Sequence, residues 1–436
     1  MNLHGKKIAI LGAGRSGVGA ARLALAKGAA EVCIFDASPT ATCKDATIPF
    51  IPAATEKHAH KFKADLVVIS PGIEADIPWT LSFACSGAPV IGETELAYAY
   101  CCSRIIAITG TNGKTTTTAL IEHILKEAGH TAIACGNYGY PLSEVVLQDP
   151  MPEFAVLEIS SFQLETIINF KPEVAIWLNF APDHMDRYKK VEDYYNAKLR
   201  LFENMGRTQV AIIREGEELP EIKPRRVGFS SVLSGGQLYY ADGNIMEHGH
   251  VLMPLRGTAM EQAHNAENTM AATLACRAVG VDDAAIAKAV HSFCPPGHRC
   301  ETVAEIDGVL WLNDSKSTNL HSTEAAVRSQ TRPVVLLAGG KDKGLDYTAI
   351  NPMLKEKARC CIVFGQIADQ LEQTFSPVCP TVKVETVEQA VAAAVQQAQR
   401  GDVVLFSPGT SSFDQFTGYV QRGECFRTAV NKALNL

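Results

Sequence analysis

The sequence contains no uninterrupted apolar run near the roughly 18 residues that a membrane-spanning helix needs. It has no CxxC pair among its 13 cysteines and no surplus of basic residues. Each shortage excludes a class of protein. Without an apolar run, no membrane partner is expected. With 40 Lys and Arg against 47 Asp and Glu, a net charge of −7, the chain lacks the basic footprint of a nucleic-acid binder. Local positive charge around an anionic ligand remains open. Cys101 with Cys102, and Cys360 with Cys361, are sequence neighbours, a poor arrangement for structural disulfides, so reduced thiols and a cytoplasmic location are expected. The opening MNLHGKKIAILGAGRSG has two lysines and a short apolar stretch that passes directly into Gly12 and Arg15. It reads as a first strand rather than a signal peptide. What is present is an ordinary globular composition, 47% hydrophobic and 20% charged over 436 residues. That length predicts roughly three domains of about 150 residues each.

The stretch RIIAITGTNGKTTTTAL, Arg104 to Leu120, carries the strongest chemistry. Ile105 to Ile108 reads as a buried strand, and Leu120, Ile121, Ile124 and Leu125 recur at helical spacing after the loop. Strand, glycine loop and helix together make a phosphate cradle. Gly110 and Gly113 let backbone N–H groups turn toward a polyphosphate, and the helix start adds its positive dipole end. Lys114 offers a point charge to the outer phosphates, and Thr115 or Thr116 a hydroxyl for magnesium. The pattern GxxxxGK[ST] asks for glycine at 108, where this chain has Ile108. The bland alternative is a glycine-rich turn capping a helix.

Ahead of that loop, residues 1–93 alternate strands with helices: Lys6 to Leu11, Glu31 to Asp36 and Asp65 to Ser70 as strands, Gly17 to Lys27 as a helix. This predicts a parallel, Rossmann-like sheet. Its first turn, Gly12 to Gly17, reads GxGxxG, and Asp36 ends the next strand, the spacing of a dinucleotide fingerprint. An NAD-dependent oxidoreductase is therefore one reading. A UDP sugar, also a diphosphate at a helix amino end with an acid beyond it, satisfies the pattern equally. Ser70 and Gly72, in SPG, follow the third strand, where such sheets bind ligands; a plain turn is the alternative.

Residues 94–297 form the segment holding the phosphate loop. FAVLE ends at Glu158, and EVAIWLNF is followed by APDHMDRY, so a carboxylate and His184 lie just past strand ends, the ligand edge of a parallel sheet. Both are candidate magnesium ligands, with an exposed Asp-His turn the alternative for His184. Val191, Tyr194, Tyr195, Leu199 and Phe202 make a helical stripe on which Lys198 falls. It could snorkel to water or point into the site. Residues from about 207 to 255 are rich in glycine and short strands and carry no evident chemistry. In the helix expected over Glu261 to Gly280, His264, Asn265 and Asn268 share the first turns as base-reading amides or as cap residues.

Residues 298–436 repeat the strand and helix alternation, with strands at Val309 to Asp314, Val334 to Gly339, Cys361 to Gly365 and Val403 to Ser407. Thr386 and Gln389 make a capping box for the helix that follows. Polar groups again gather past strand ends: Asp314, Ser315, Lys316 and Thr318, then Lys341 and Lys343, then Ser411 and Ser412. Anion-binding loops in three segments predict a site assembled between domains, although any one loop could be a solvated turn.

Taken together, GTNGKTTT, the Glu158 strand end, NFAPDHMDRY, the Lys198 helix, HNAEN, GHRCE, NDSKSTN and SPGTSSFDQFTGYVQRG resemble the Mur ligases over the whole chain. These are ATP-dependent amide-forming enzymes of peptidoglycan precursor synthesis. The amino-terminal GxGxSG and the SFDQF and QRG near the end are most similar to the members that add D-glutamate. The resemblance implies an α/β protein of three domains: a Rossmann-like one for the UDP sugar, a central P-loop ATPase-type one, and a Rossmann-like one for the amino acid. It implies that Gly110, Thr111, Asn112, Gly113, Lys114, Thr115, Thr116, Asn268, Arg299, Asp314 and Lys316 bind ATP. Magnesium, as two ions, would be held by Thr115, Glu158, His184 and a carbamylated Lys198, with Lys114, Glu158, His184 and Lys198 catalytic. Arg15, Ser16, Asp36, Ser70, Gly72 and Asn137 would position UDP-N-acetylmuramoyl-L-alanine; Lys343, Ser412 and Phe413 would hold D-glutamate. Ala37 stands where relatives often carry a hydroxyl residue, and Gly409 and Thr410 replace a more usual Ala-Cys.

The implied reaction is activation of a carboxylate by the γ-phosphoryl of ATP to an acyl phosphate, then attack by the amino-acid amine. His184 or the Lys198 carbamate would take the proton. A monomer is expected, its loops being committed to one cleft, with an open-to-closed rotation on ligand binding. A nucleotide-gated binding protein without turnover is the non-enzymatic alternative. Folylpolyglutamate synthetase is the neighbouring enzymatic one, sharing GTNGK but starting near that loop.

Overall fold

The computed structural model spans residues 1–436 and describes all except 85, 86, 186, 232–235 and 262, together with the side chains of 263 and 264. The side chain of His264 therefore lies outside the described residues. Two compact units are present, one made of Met1–Phe180, Tyr195–Glu261 and Asn265–Phe293, the other chiefly of Ala181–Tyr194 and Cys294–Leu436.

The first unit holds two sheets. One has five parallel strands in the order Phe50–Ile51, Glu31–Phe35, Lys7–Leu11, Leu66–Ile69, Val90–Gly92. Its central strands are continuous apolar runs because both faces are covered. Helix Arg15–Ala26 starts two residues before the expected Gly17, since Arg15 and Ser16 of the glycine loop already take the helical turn. Its small residues let it sit close: a Cβ on Gly17 would lie 1.9 Å from the Gly12 carbonyl oxygen, and one on Gly19 2.5 Å from Ser143 Oγ.

The second sheet has nine strands, ordered His250–Pro254, Asn244–Glu247, Leu238–Ala241, Arg225–Ser230, Val210–Arg214, Val174–Trp177, Arg104–Thr109, Phe154–Glu158, Ala132–Gly136. The pairs from Leu238–Ala241 to Ala132–Gly136 are parallel, and the last two strands add an antiparallel meander. One hydrophobic core runs through both sheets, joining Ile8, Ile10 and Val68 to Ile105, Leu157 and Trp177. Helix Glu93–Tyr98 fastens them further. Glu95 is buried and accepts the backbone N–H groups of Ile168, Asn169 and Phe170 at 2.9, 2.9 and 3.0 Å; Glu93 accepts Ser143 N at 2.6 Å. The boundary expected near 93 lies at the start of this buried helix.

The second unit carries six strands ordered Glu301–Ile306, Val309–Asn313, Val403–Phe406, Val334–Gly339, Ala358–Phe364, Thr381–Lys383. The first pair is an antiparallel hairpin and the rest are parallel. The hairpin turns on Asp307 and Gly308, both at positive φ (53° and 76°), as a two-residue turn between twisted strands requires. Side chains alternate between two cores, Leu336 and Leu405 on one face, Val335, Leu337 and Phe406 on the other. Half of the expected capping box forms: Thr386 Oγ1 accepts Gln389 N at 3.3 Å ahead of helix Val387–Gln397, while Gln389 Oε1 accepts Glu385 N at 2.8 Å, one residue before the cap. Among the described residues no helix is long and apolar enough to cross a membrane.

Candidate active site

The central strand Arg104–Thr109 delivers the phosphate loop at its carboxyl end, and Ile108 is a fully buried strand residue there. Gly110 and Gly113 take φ of 149° and 85°, and Gly113 caps helix Lys114–Glu127. A Cβ on Gly113 would stand 2.3 Å from Asn268 Oδ1, so this glycine serves both conformation and close approach. Asn179 latches the loop: its carbonyl accepts Thr111 N at 2.9 Å, its Oδ1 accepts Asn112 N at 2.9 Å, and its Nδ2 donates to Asn112 O at 3.2 Å.

Around this loop the structure gathers residues from five distant stretches. Lys114 Nζ donates to the carbonyls of Gly110 and Thr111 at 2.8 and 3.0 Å. Lys198, only 1% exposed, donates from Nζ to the same Gly110 carbonyl at 3.0 Å, so it points inward rather than snorkelling. The expected helix over 191–205 divides into helix Val191–Leu199 and a 3₁₀ turn, Arg200–Phe202. Thr115 Oγ1 donates to Glu158 Oε2 at 2.6 Å, and Asn137 Nδ2 donates to Glu158 Oε1 at 2.7 Å. Thr116 is buried in the same first turn. On helix Ala263–Ala278, Asn268 accepts Thr117 Oγ1 at 3.2 Å and donates to Asn265 at 3.4 Å.

At the five-stranded sheet, the glycine loop is closed by Asp36, whose carboxylate accepts Ala13 N at 3.0 Å and Ser38 N at 2.9 Å. Ser70 Oγ is buried without a hydrogen-bond partner and faces the loop: a Cβ on Gly12 would come within 2.7 Å of it. Arg15 donates to the Gly139 carbonyl at 2.8 Å, Ser16 is half-buried and Gly72 exposed. Asn137, assigned by resemblance to the UDP substrate, is joined to the phosphate-loop cluster through Glu158 instead of to this loop.

In the second unit, the loops past the strand ends form two clusters. Asp314 is buried and accepts Ser407 Oγ at 2.8 Å, Ser317 Oγ, and Cys300 N at 3.2 Å; burial pushes its carboxyl up, while the Arg299 charge and these hydroxyls act against that shift. Lys316 Nζ lies 5.0 Å above the Tyr419 ring and 3.4 Å from its hydroxyl. The other cluster centres on Asp183, which accepts Lys343 Nζ at 2.8 Å, Asn319 Nδ2 at 3.0 Å and His184 N at 2.8 Å. His184 itself is held at φ 59°, a position costly for a side-chain-bearing residue. Ser412 is buried, whereas Phe413 is 67% exposed. In that same stretch Tyr419, not Phe413, packs against the neighbouring site residues.

Asn179, Asp183, Asn319 and Tyr419 were not singled out from the sequence, although each lies inside a stretch that was. Asn179, Asp183 and Asn319 meet Asn112, Lys343 and Asp183, far along the chain, and Tyr419 opens helix Tyr419–Ala433 and meets Lys316. Chemically, the first unit offers a cationic loop beside a buried carboxylate and hydroxyl, suited to a polyphosphate with a hard, oxygen-ligated cation. The second offers cations and hydroxyls suited to carboxylates.

Comparison with known proteins adds to this geometry. Residues 108–276 match the Mur ligase middle domain, and residues 298–409 match the Mur ligase glutamate ligase domain. The chain is similar to UDP-N-acetylmuramoylalanine–D-glutamate ligase of Geotalea uraniireducens (strain Rf4), 37% identical over 446 residues that cover 99% of this chain and 98% of that protein. It is likewise similar to the protein of that name from Koribacter versatilis (strain Ellin345), 38% identical over 452 residues, with coverage of 99% and 98%. Among solved structures, UDP-N-acetylmuramate-alanine ligase from Thermotoga maritima superposes with a TM-score of 0.64 at 17% identity, covering 98% of this chain and all of that one. At that identity the likeness is one of fold.

Proposed function

The chain belongs to the Mur ligase family of ATP-dependent, amide-bond-forming enzymes, and we propose that it joins D-glutamate to UDP-N-acetylmuramoyl-L-alanine. ATP is consumed through an acyl phosphate to ADP and phosphate, in cytoplasmic synthesis of the peptidoglycan precursor on which wall growth, cell shape and division depend. Residues 1–93, 94–297 and 298–436 are taken as the UDP-sugar, ATP and amino-acid domains of a monomer.

The observation that carries this reading is the convergence of two ammonium groups, Lys114 and Lys198, on the Gly110 carbonyl beside the Thr115–Glu158 pair. Like charges on one oxygen repel, and an anion in the loop relieves them. A polyphosphate is such an anion. Carbamylation of Lys198 has the same sense: it turns the ammonium into a carboxylate while keeping one N–H to donate to Gly110. The donors also fit magnesium, since the Thr115 hydroxyl, the Glu158 carboxylate and a carbamate are hard oxygen ligands; His184 would add a nitrogen. When bound, magnesium would neutralise charge on the phosphates. Lys114 would hold the transferring phosphoryl, with Gly110 to Thr116 wrapping the phosphates and Asn268, Arg299, Asp314 and Lys316 completing the nucleotide contacts. Arg15, Ser16, Asp36, Ser70, Gly72 and Asn137 would orient the UDP substrate, the unpartnered Ser70 hydroxyl being ready to donate to it. Lys343 and Ser412, with Phe413, would hold the amino acid, and His184 or the Lys198 carbamate would accept the proton its amine releases.

The test is phosphate release from ATP with UDP-N-acetylmuramoyl-L-alanine, comparing D-glutamate with L-glutamate, D-alanine and no amino acid. Release with D-glutamate alone is expected. Release with another amino acid instead would keep the ligase and overturn the amino-acid assignment; silence with all would overturn the reaction.

A further inference from the structure

Helix Tyr419–Ala433 buries a stripe in which Phe426 and Val430 fill the core, and the residue one turn earlier on that stripe is Arg422. Its exposure is zero. Burial lowers the basicity of this guanidinium, with the charges of Asp414 and Asp314 opposing. Among the described residues none of its hydrogen bonds goes to a carboxylate. Its hydrogen bonds to described residues go to neutral oxygens. Nη2 donates to Ser315 O at 2.8 Å, Nε to Ser315 Oγ at 3.2 Å, and Nη1 to Thr410 O at 3.1 Å and Gly339 O at 3.5 Å.

Those acceptors sit at the carboxyl ends of three strands of the six-stranded sheet, Ser315 in the loop after Val309–Asn313, Gly339 as the residue from which the loop after Val334–Gly339 leaves, and Thr410 in the loop after Val403–Phe406. The first carries Asp314 and Lys316, the second leads to Lys343, and the third carries Ser412. The loops also meet through backbone bonds: Lys341 N to Ser411 O at 2.8 Å, Gly409 N to Ser317 O at 3.0 Å, and Gly339 N to Pro408 O at 2.9 Å. The packing leaves no slack. A Cβ on Gly340 would lie 2.3 Å from Ser411 O and 3.0 Å from Arg422 Nη1.

We propose that Arg422 is a positioning residue whose buried guanidinium, hydrogen-bonded to neutral oxygens, pins these three loops in one arrangement and so holds the side chains they carry in place for an acidic amino acid. The planar fork suits the task, because several carbonyls can be met at once from fixed directions. This inference rests on the amino-acid role proposed above for the second unit, and its test separates the two.

The test compares the full-length enzyme with Arg422→Lys and Arg422→Met. Lysine keeps the charge but presents three donors from one point and cannot span the three loops. With D-glutamate as probe, Arg422→Lys should raise its KM by about 10-fold or more, since misplacement of about 1 Å in a positioning group costs up to about 100-fold. The KM for the UDP substrate should not change. Hydrogen exchange at the Lys341 and Gly409 amides should quicken, while exchange in the five-stranded sheet stays as in the parent. Unchanged exchange at those amides overturns the proposal, as does a uniform loss of activity that only tracks the folded fraction in thermal unfolding. If Arg422→Met does not fold, Arg422→Lys carries the comparison; if neither folds, Arg422 is a folding residue and the proposal falls. A parent enzyme inactive with D-glutamate would overturn the substrate reading alone, because the exchange measurement requires no turnover.

Discussion

Lys343 Nζ lies 2.8 Å from Asp183 Oδ1, and both side chains are almost wholly buried, 8% and 6% exposed. Burial by itself would push the Asp183 carboxyl up, but the Lys343 ammonium, then His184 and the hydrogen bonds from Lys343 and Asn319, outweigh it and hold the group at about 2. The lysine expected to receive a substrate carboxylate is thus already facing a carboxylate of the protein.

That pair makes stability depend on pH in a definite direction. The folded carboxyl titrates below its unfolded value of 3.8, so the pair's contribution is complete above about pH 4 and disappears as pH falls through about 2. Its size is about 2 kcal/mol, at roughly 1.4 kcal/mol per pKa unit. Urea unfolding of the parent and Asp183→Asn between pH 7 and pH 2 checks this. The gap between the two should be widest above pH 4 and close below it; a gap independent of pH would show that the charge is not responsible.

Lys198→Ala removes a buried side chain whose Nζ meets Gly110 O. Phosphate release should fall by about 100- to 1,000-fold, the scale of losing one group that stabilises the transition state. Millimolar formate or acetate, entering the space as a substitute carboxylate, should restore part of it. A variant that still binds an ATP analogue and is not rescued would argue that the amine itself, rather than its carbamate, is what the site needs.

Gly113→Ala places a side chain at φ 85° and a carbon 2.3 Å from Asn268 Oδ1. The conformation alone costs about 1–2 kcal/mol, and the clash must shift either the loop or Asn268. Binding of an ATP analogue, measured by calorimetry, should weaken by at least about 10-fold, with a lower thermal midpoint. Gly129→Ala, also at positive φ but with no atom within 4 Å of the added carbon, is the control: it should lose stability and keep nucleotide affinity.

Much of this was legible in the sequence because it is local. The strand, glycine loop and helix from Arg104 onward are written in neighbouring residues, and the acid ending Phe154–Glu158 follows from a short apolar run stopping at a carboxylate. The alternation of strands with helices predicted parallel sheets, because each period is set by side chains a few residues apart. Lys198 could be placed on an apolar stripe, but whether it faced water or the site could not be read there. That depends on what fills the other side of the stripe, and the Gly110 carbonyl is 88 residues away.

Tertiary structure alone decided the partners. Lys343 finds Asp183 across 160 residues, Arg422 reaches Ser315 across 107, and Asn137 meets Glu158 instead of the first glycine loop. It also left Phe413 exposed while packing Tyr419, six positions on, against Lys316. The reason is physical. Backbone periodicity and turn chemistry act over a few residues and are repeated in the sequence wherever they operate. A buried charge is matched only once the sheets have closed and the loops at their edges have been brought within about 3 Å, a distance that no local pattern specifies.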